Sequence, residues 1–153
     1  MFTVIYGDVL SHPTGLIVHG CNCQGIMGGG VALQVRQQFP TVYQAYMAAH
    51  SLEELYLGNV IPVEVAPFKI IVNAMTQIDC TGRRDVDYEA IAKVFEKVVA
   101  MVRVIAVTTG RTLPIVFPQI GAGIAGGDWE IIKVIIDRTI PDDIEAILYM
   151  YKP

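Results

Sequence analysis

Apolar, β-branched runs alternate along the chain with stretches whose apolar positions recur every three to four residues. Phe2 to Tyr6 (FTVIY) predicts a strand that stops at Gly7-Asp8. Ser11-His12-Pro13-Thr14-Gly15 has turn chemistry and leads into a second strand, Leu16 to Cys21. The segment from Val31 has a helical period and ends near Phe39, because Pro40 disfavours helix in the residue before it. Thr41 to Ala49 predicts a second short helix, with Val42, Ala45, Tyr46 and Ala49 on one stripe. Two strands follow, Asn59 to Val65 and Lys69 to Ala74, joined at Ala66-Pro67. Thr76 to Asp87 is polar, contains Gly82 and reads as a loop. Tyr88 to about Val107 is the longest helix. Its late portion is β-branched, but Ile91, Val94, Phe95, Val98, Met101, Val102 and Ile105 continue one face. Leu113 to Phe117 predicts a buried strand, Asp128 to Arg138 a helix, and Ile144 to Tyr151 a last strand.

This alternation, with a strand pair near the middle, implies an α/β domain: a mostly parallel sheet with helices on both faces. Two glycine-rich loops sit at strand-to-helix turns. The first runs from His19 to Gly30 and ends in Gly28-Gly29-Gly30. The second, Gly121 to Gly127, contains a literal G-x-G-x-x-G at Gly121, Gly123 and Gly126. A Rossmann dehydrogenase carries that loop after its first strand, with several βα units behind it. Only one helix and one strand remain here, so that reading is rejected. No G-x-x-x-x-G-K-[ST] exists, which removes the P-loop NTPases. The shared physics stays: glycine lets backbone N–H groups and a helix N-terminus approach an anion. Such turns cluster at the carboxyl edge of the sheet. Two of them suggest one shared ligand, such as a diphosphate.

The chain has 153 residues and is expected to form one domain over residues 1–153. Hydrophobic residues make up 53% and charged ones 17%, so most strands should be buried on both faces. The formal net charge of -4 argues against binding a polyphosphate backbone through a basic surface. A small anion held by backbone N–H groups is compatible with it. Cys21, Cys23 and Cys80 lack zinc-site spacing and read as free thiols of a reducing cytoplasm. MFTVIYGD has no basic n-region, and no apolar run reaches bilayer length. A cytoplasmic monomer with no membrane contact, metal or cofactor is expected.

Val18-His19-Gly20-Cys21-Asn22, followed by Gly28-Gly29-Gly30-Val31-Ala32, resembles the macrodomain signature. Gly7-Asp8-Val9 resembles the family's G-D-[IL], and Pro118 to Ile124 with Trp129 its second phosphate loop and the helix after it. Tyr149-Met150-Tyr151 resembles its final strand. The resemblance covers nearly the whole chain, in the family's order. His19-x-Cys21-Asn22-Cys23-x-Gly25 resembles the ADP-ribose-1″-phosphate phosphatase branch in particular. The resemblance implies a three-layer α/β/α fold with a mixed, mostly parallel six-stranded sheet. It implies a cleft at the carboxyl edge for ADP-ribose or ADP-ribose-1″-phosphate, or for ADP-ribosylated macromolecules.

Site roles follow from the same resemblance. Asp8 would accept a hydrogen bond from the adenine amino group, with Val9 beside the base and Tyr151 lining that end. Without the motif, Asp8 would read as a turn or cap residue. Gly28, Gly29, Gly30 and Val31 would donate N–H groups to the distal ribose and its phosphate, and Asn22 would reach the ribose hydroxyls. Gly121, Ala122, Gly123, Ile124 and Ala125 would wrap the diphosphate. The catalytic candidates are His19, as a proton carrier, and Asp128, as an acid, base or water-orienting group. A strand-end histidine is often a core residue, and Asp128 would also suit the N-cap of the last helix. The family's terminal glycohydrolase branch uses a lysine nucleophile after a central strand, and Asn73 to Glu89 contains no lysine. Arg83 and Arg84 would suit a substrate phosphate or a solvated loop. The expected activity is removal of the 1″-phosphate from ADP-ribose-1″-phosphate. A non-catalytic ADP-ribose reader and a hydrolase releasing ADP-ribose from macromolecules are the alternatives.

Overall fold

The computed structural model describes residues 2–79, 85–123 and 125–151. Six strands form one sheet: β1 (Thr3–Tyr6), β2 (Gly15–Asn22), β3 (Val60–Ala66), β4 (Lys69–Gln77), β5 (Ile115–Phe117) and β6 (Ala146–Met150). Their order across the sheet is β1-β6-β5-β2-β4-β3. Neighbours are parallel except β3 and β4, which form an antiparallel pair at one edge. Four helices cover it: α1 (Gly30–Gln38), α2 (Pro40–Ser51), α3 (Tyr88–Thr109) and α4 (Trp129–Thr139).

Side chains alternate along each strand, and the two sets meet different helices. Leu16, Val18, Val72, Ile115 and Phe117 pack with Ile91, Phe95 and Val98 of α3 and Ile132 and Ile136 of α4. Ile17, Ile71, Val116 and Ile147 pack with Val35 of α1 and Val42 of α2 on the other face. Each such large apolar side chain stabilises the fold by about 1.5–3 kcal/mol when fully buried. β2 is central and buried almost throughout, whereas edge strand β3 alternates between half-buried and exposed positions.

Helix ends follow local chemistry. Asp87 caps α3 by accepting from the Ala90 N–H at 2.9 Å, and Gly110 closes it in the left-handed region at φ 77°. Pro40 occupies the first turn of α2, where its missing N–H costs nothing. The predicted elements are all present, with one informative difference. β4 continues through Met75, Thr76 and Gln77, a stretch whose end had read as loop. Met75 packs with Cys21, Met27 and Tyr46, so tertiary burial outweighs the local polarity of Thr76-Gln77. Among the described residues, no helix is long and apolar enough to cross a membrane.

Candidate functional site

The carboxyl ends of β1, β2, β4 and β6 point to the same edge, and two hollows open there on either side of the start of α1. The first, about 320 Å³, is lined by Gly20, Cys21, Asn22, Ile26, Gly28, Gly29, Ala32 and Gln77. The second, about 270 Å³, is lined by Gly7, Asp8, Val9, Val31, Gln34, Pro118, Tyr149 and Tyr151. Gly28 and Gly29 face one hollow and Val31 the other, so the helix N-terminus stands between them. Gly29 is the N-cap and supplies no side-chain acceptor to the first turn. Those N–H groups and the helix dipole suit an anion lying across the ridge.

Asn22 shapes the first hollow. Its Oδ1 accepts from the Gln24 N–H at 2.9 Å and the Ile26 N–H at 3.4 Å, and its Nδ2 donates to the Ile26 carbonyl at 2.7 Å. The Tyr46 hydroxyl, buried in α2, donates in bifurcated fashion to the Asn22 carbonyl at 2.7 Å and Oδ1 at 2.9 Å. It also accepts from the Gly25 N–H at 3.2 Å. Gly25 takes φ 80°, and a Cβ there would lie 2.9 Å from the His50 ring. Met27 is fully buried below the loop. Asn22 therefore both lines the hollow and holds the loop that carries the glycine run.

The second hollow brings together Asp8, Val9, Val31 and Tyr151, four residues the sequence reading had assigned to one ligand. Asp8 caps the one-turn 3-10 helix Val9–Ser11, its Oδ1 accepting from the Leu10 N–H at 2.9 Å. Tyr149 pins this turn to β6, its hydroxyl 2.9 Å from Nδ1 of His12. Burial raises the Tyr149 pKa and lowers that of His12, so both are neutral near pH 7. Tyr151 is 82% exposed at the rim.

The second glycine loop folds against the protein. Gly121 takes φ 75°, and its carbonyl accepts from the Gly127 N–H at 2.6 Å. Ala125 is buried, and its carbonyl accepts from the N–H groups of Asp85 and Val86 at 2.8 and 3.3 Å. Gly121 and Ala122 are half-buried and Gly123 is exposed. None of these residues lines either hollow; Pro118, just after β5, does so for that connection. Ile124, Cys80, Arg83 and Arg84 lie outside the described residues.

The two catalytic candidates are not brought together. His19 is fully buried on the α1–α2 side of the sheet, with Nε2 2.6 Å from Oδ1 of Asn73. The Asn73 Nδ2 donates to the Val42 carbonyl at 3.3 Å, which turns its oxygen toward the imidazole and requires the Nε2–H tautomer. Burial pushes the His19 pKa down to about 4, against the raising effect of the hydrogen bond that His19 donates to Asn73. A neutral imidazole with no exposed surface cannot exchange protons with a ligand in the cleft. The expectation of a His19 proton carrier is corrected on that ground. Asp128 N-caps α4, its Oδ1 accepting from the Glu130 N–H at 3.0 Å, while its own N–H donates to the Tyr88 hydroxyl at 3.1 Å. It is exposed and sits with α4 on the opposite face of the sheet from His19.

Cys21 lies beside His19, its sulfur 3.8 and 3.6 Å from Nδ1 and Nε2. Two nearly equal distances place the sulfur against the ring, not along one nitrogen lone pair. Burial pushes the thiol pKa far up, so it stays protonated. Among the described residues, no cluster of His, Cys, Asp or Glu could hold a metal ion. Sequence reasoning passed over Gly20, Gln34, Gln77 and Tyr149, which also line the hollows. The Gln77 position was legible only through strand pairing, since it stands opposite Asn22.

An α/β sheet with paired hollows around a glycine-led helix defines a nucleotide-diphosphate type of binding fold. The Macro domain family model matches residues 18–136, and the chain belongs to this family. A DNA ADP-ribosyl glycohydrolase of Mycobacterium tuberculosis is 28% identical over 155 residues, covering 97% of this chain. The chain spans only 42% of that relative's length. An ADP-ribose 1″-phosphate phosphatase of Scheffersomyces stipitis is 28% identical over 179 residues, covering 98% of this chain and 99% of the relative. The macrodomain of Thermus aquaticus DarG superposes with a TM-score of 0.81 at 26% identity, covering 100% of this chain and 99% of the other.

Proposed function

We propose that this macrodomain binds ADP-ribose across the ridge at the start of α1 and hydrolyses the phosphate ester of ADP-ribose-1″-phosphate. The carrying observation is the pair of hollows, lined by Asp8 and Val9 on one side and by Asn22, Gly28, Gly29 and Gln77 on the other. The adenine lies at Asp8, whose carboxylate accepts from the exocyclic amine. The diphosphate crosses the α1 N-terminus, and the distal ribose enters the Asn22 hollow. Backbone N–H groups of the glycine run balance the charge that develops on the departing phosphate. Likeness to the full-length yeast phosphatase supports the choice of substrate.

With His19 enclosed, proton transfer falls to Asp128 and bound water. Asp128→Asn is the informative variant, because asparagine caps a helix as well as aspartate does. It should keep the fold and ADP-ribose binding and lose phosphate release from ADP-ribose-1″-phosphate. Unchanged turnover in that variant removes Asp128 from the mechanism.

One observation favours a second reading, a reader without chemistry. Among the described residues, the only titratable group lining the Asn22 hollow is the protonated Cys21 thiol. ADP-ribose binding by calorimetry, with no turnover of ADP-ribose-1″-phosphate, ADP-ribosylated protein or ADP-ribosylated DNA, would establish the reader. Release of ADP-ribose from DNA or protein would establish the macromolecular hydrolase instead.

A further inference from the structure

Asn22 and Gln77 both line the first hollow. They are register partners on adjacent parallel strands, which sets their backbones about 4.8 Å apart. A β-bulge produces this pairing: Cys21 stands opposite Met75, and the extra residue Thr76 carries Gln77 forward to Asn22. The two amides differ in what they have left to offer. Oδ1 of Asn22 already accepts from the N–H groups of Gln24 and Ile26 and from the Tyr46 hydroxyl, at 2.9, 3.4 and 2.9 Å. Its two lone pairs are filled, and one of the two Nδ2 hydrogens is held by the Ile26 carbonyl. Gln77 is half-buried, and its Nε2 donates to the Asp79 carbonyl at 2.7 Å. A carbonyl accepts only from the nitrogen end of an amide, so this contact fixes which way the Gln77 amide faces. Among the described residues lining the hollow, Oε1 of Gln77 is the one side-chain oxygen with no donor.

A ribose presents a vicinal diol, and each hydroxyl both donates and accepts. Its hydrogens need an acceptor, which the filled Asn22 oxygen does not supply. We propose that Gln77 is a specificity-determining residue for the terminal ribose, its Oε1 accepting from one hydroxyl of the diol while Asn22 donates its free Nδ2 hydrogen to the neighbouring one. This rests on the ADP-ribose reading above, and it divides between two residues the hydroxyl contact that the sequence assigned to Asn22. The backbone of Gln77 is pinned by a bridge to Val86 and its amide by Asp79, so the acceptor is in place before the ligand arrives. ADP, which ends at its second phosphate, has no diol at this end.

The test measures affinity for ADP-ribose and for ADP by calorimetry in wild type, Gln77→Met and Gln77→Glu, and reads the ratio of the two. Methionine keeps the length of the side chain and removes the acceptor. Glutamate keeps an acceptor oxygen and removes the donor to Asp79, and any repulsion it exerts on the diphosphate falls on both ligands. Wild type should bind ADP-ribose more tightly than ADP. In Gln77→Met that preference should shrink by about two- to tenfold, the worth of one neutral hydrogen bond. In Gln77→Glu it should stay at the wild-type level or rise. An unchanged preference in Gln77→Met overturns the proposal, because loss of affinity for both ligands alike marks a structural role. An equal fall in Gln77→Glu also overturns it and traces the effect to the Asp79 contact. Wild-type protein that binds the two ligands equally overturns it as well. Wild-type protein that binds neither contradicts the ADP-ribose reading itself and shows this before any variant is made.

Discussion

Nε2 of His19 lies 2.6 Å from Oδ1 of Asn73, its register partner on the adjacent strand. The pair is buried between the sheet and α2, where Asn73 also reaches the Val42 carbonyl. It joins two central strands to a helix, while burial keeps the imidazole neutral.

That neutrality makes stability depend on pH. The His19 pKa falls from its ordinary 6.5 to about 4 in the folded protein. The unfolded chain takes up the proton below pH 6.5, while the folded chain refuses it until about pH 4. The stabilisation is therefore full above pH 6.5 and is lost as pH falls through that interval. Its size is roughly 3 kcal/mol, at about 1.4 kcal/mol per pKa unit. Urea unfolding between pH 4 and 7.5 should show this slope in wild type and a shallower one in His19→Gln. Identical slopes would mean that His19 is accessible to solvent.

Tyr46→Phe removes the hydroxyl that serves Asn22 and Gly25 together. Leaving those buried groups unpaired should cost about 1–3 kcal/mol in denaturant unfolding. ADP-ribose affinity should fall as well, because the loop that presents Gly28 and Gly29 loses its anchor. A variant with lowered stability and wild-type affinity would show that the glycine run holds its shape without Tyr46.

Asp8→Asn tests the base end. The asparagine oxygen can still accept from the Leu10 N–H, so the turn survives. Its amide then offers a donor to the adenine amine, a mismatch. Affinity for ADP-ribose should drop by about tenfold or more, the scale of a hydrogen bond to a charged group. Affinity for the hypoxanthine counterpart, which presents an acceptor there, should drop less. A uniform loss on both ligands would place the base elsewhere.

Much of the fold was legible because hydrophobic periodicity decides it. β2 and α3 bury most of the residues their patterns mark, and Asp128 caps the helix it precedes. The site was legible in part. Gly28, Gly29, Asp8 and Val9 announce themselves through glycine content and motif, and they line the hollows. The face on which a strand-end side chain lands depends on register, which no local pattern reveals. His19 and Gly20 are adjacent in sequence, yet the first is sealed beneath α2 and the second walls the cleft. Gln77 joined the site only because β4 runs on past Ala74 to meet Asn22.

The second glycine loop separates steric demand from glycine content. A Cβ at Gly127 would lie 2.6 Å from Cγ1 of Val86 and 2.7 Å from the Gly121 carbonyl oxygen, and the backbone atom cannot yield. At Gly123 a Cβ meets nothing within 4 Å. Gly127→Ala should therefore destabilise by about 1–3 kcal/mol, and Gly123→Ala by much less. Thermal unfolding of the two variants side by side decides it; equal Tm values would mean the loop relaxes freely.

A crystal structure of the protein soaked with ADP-ribose tests the central claim most directly. One molecule should span the ridge at Gly28 to Val31, with adenine against Asp8 and Val9 and the terminal ribose beside Asn22, Gly20 and Gln77. A saturated crystal in which the ligand leaves either hollow empty, or binds elsewhere, would contradict the account.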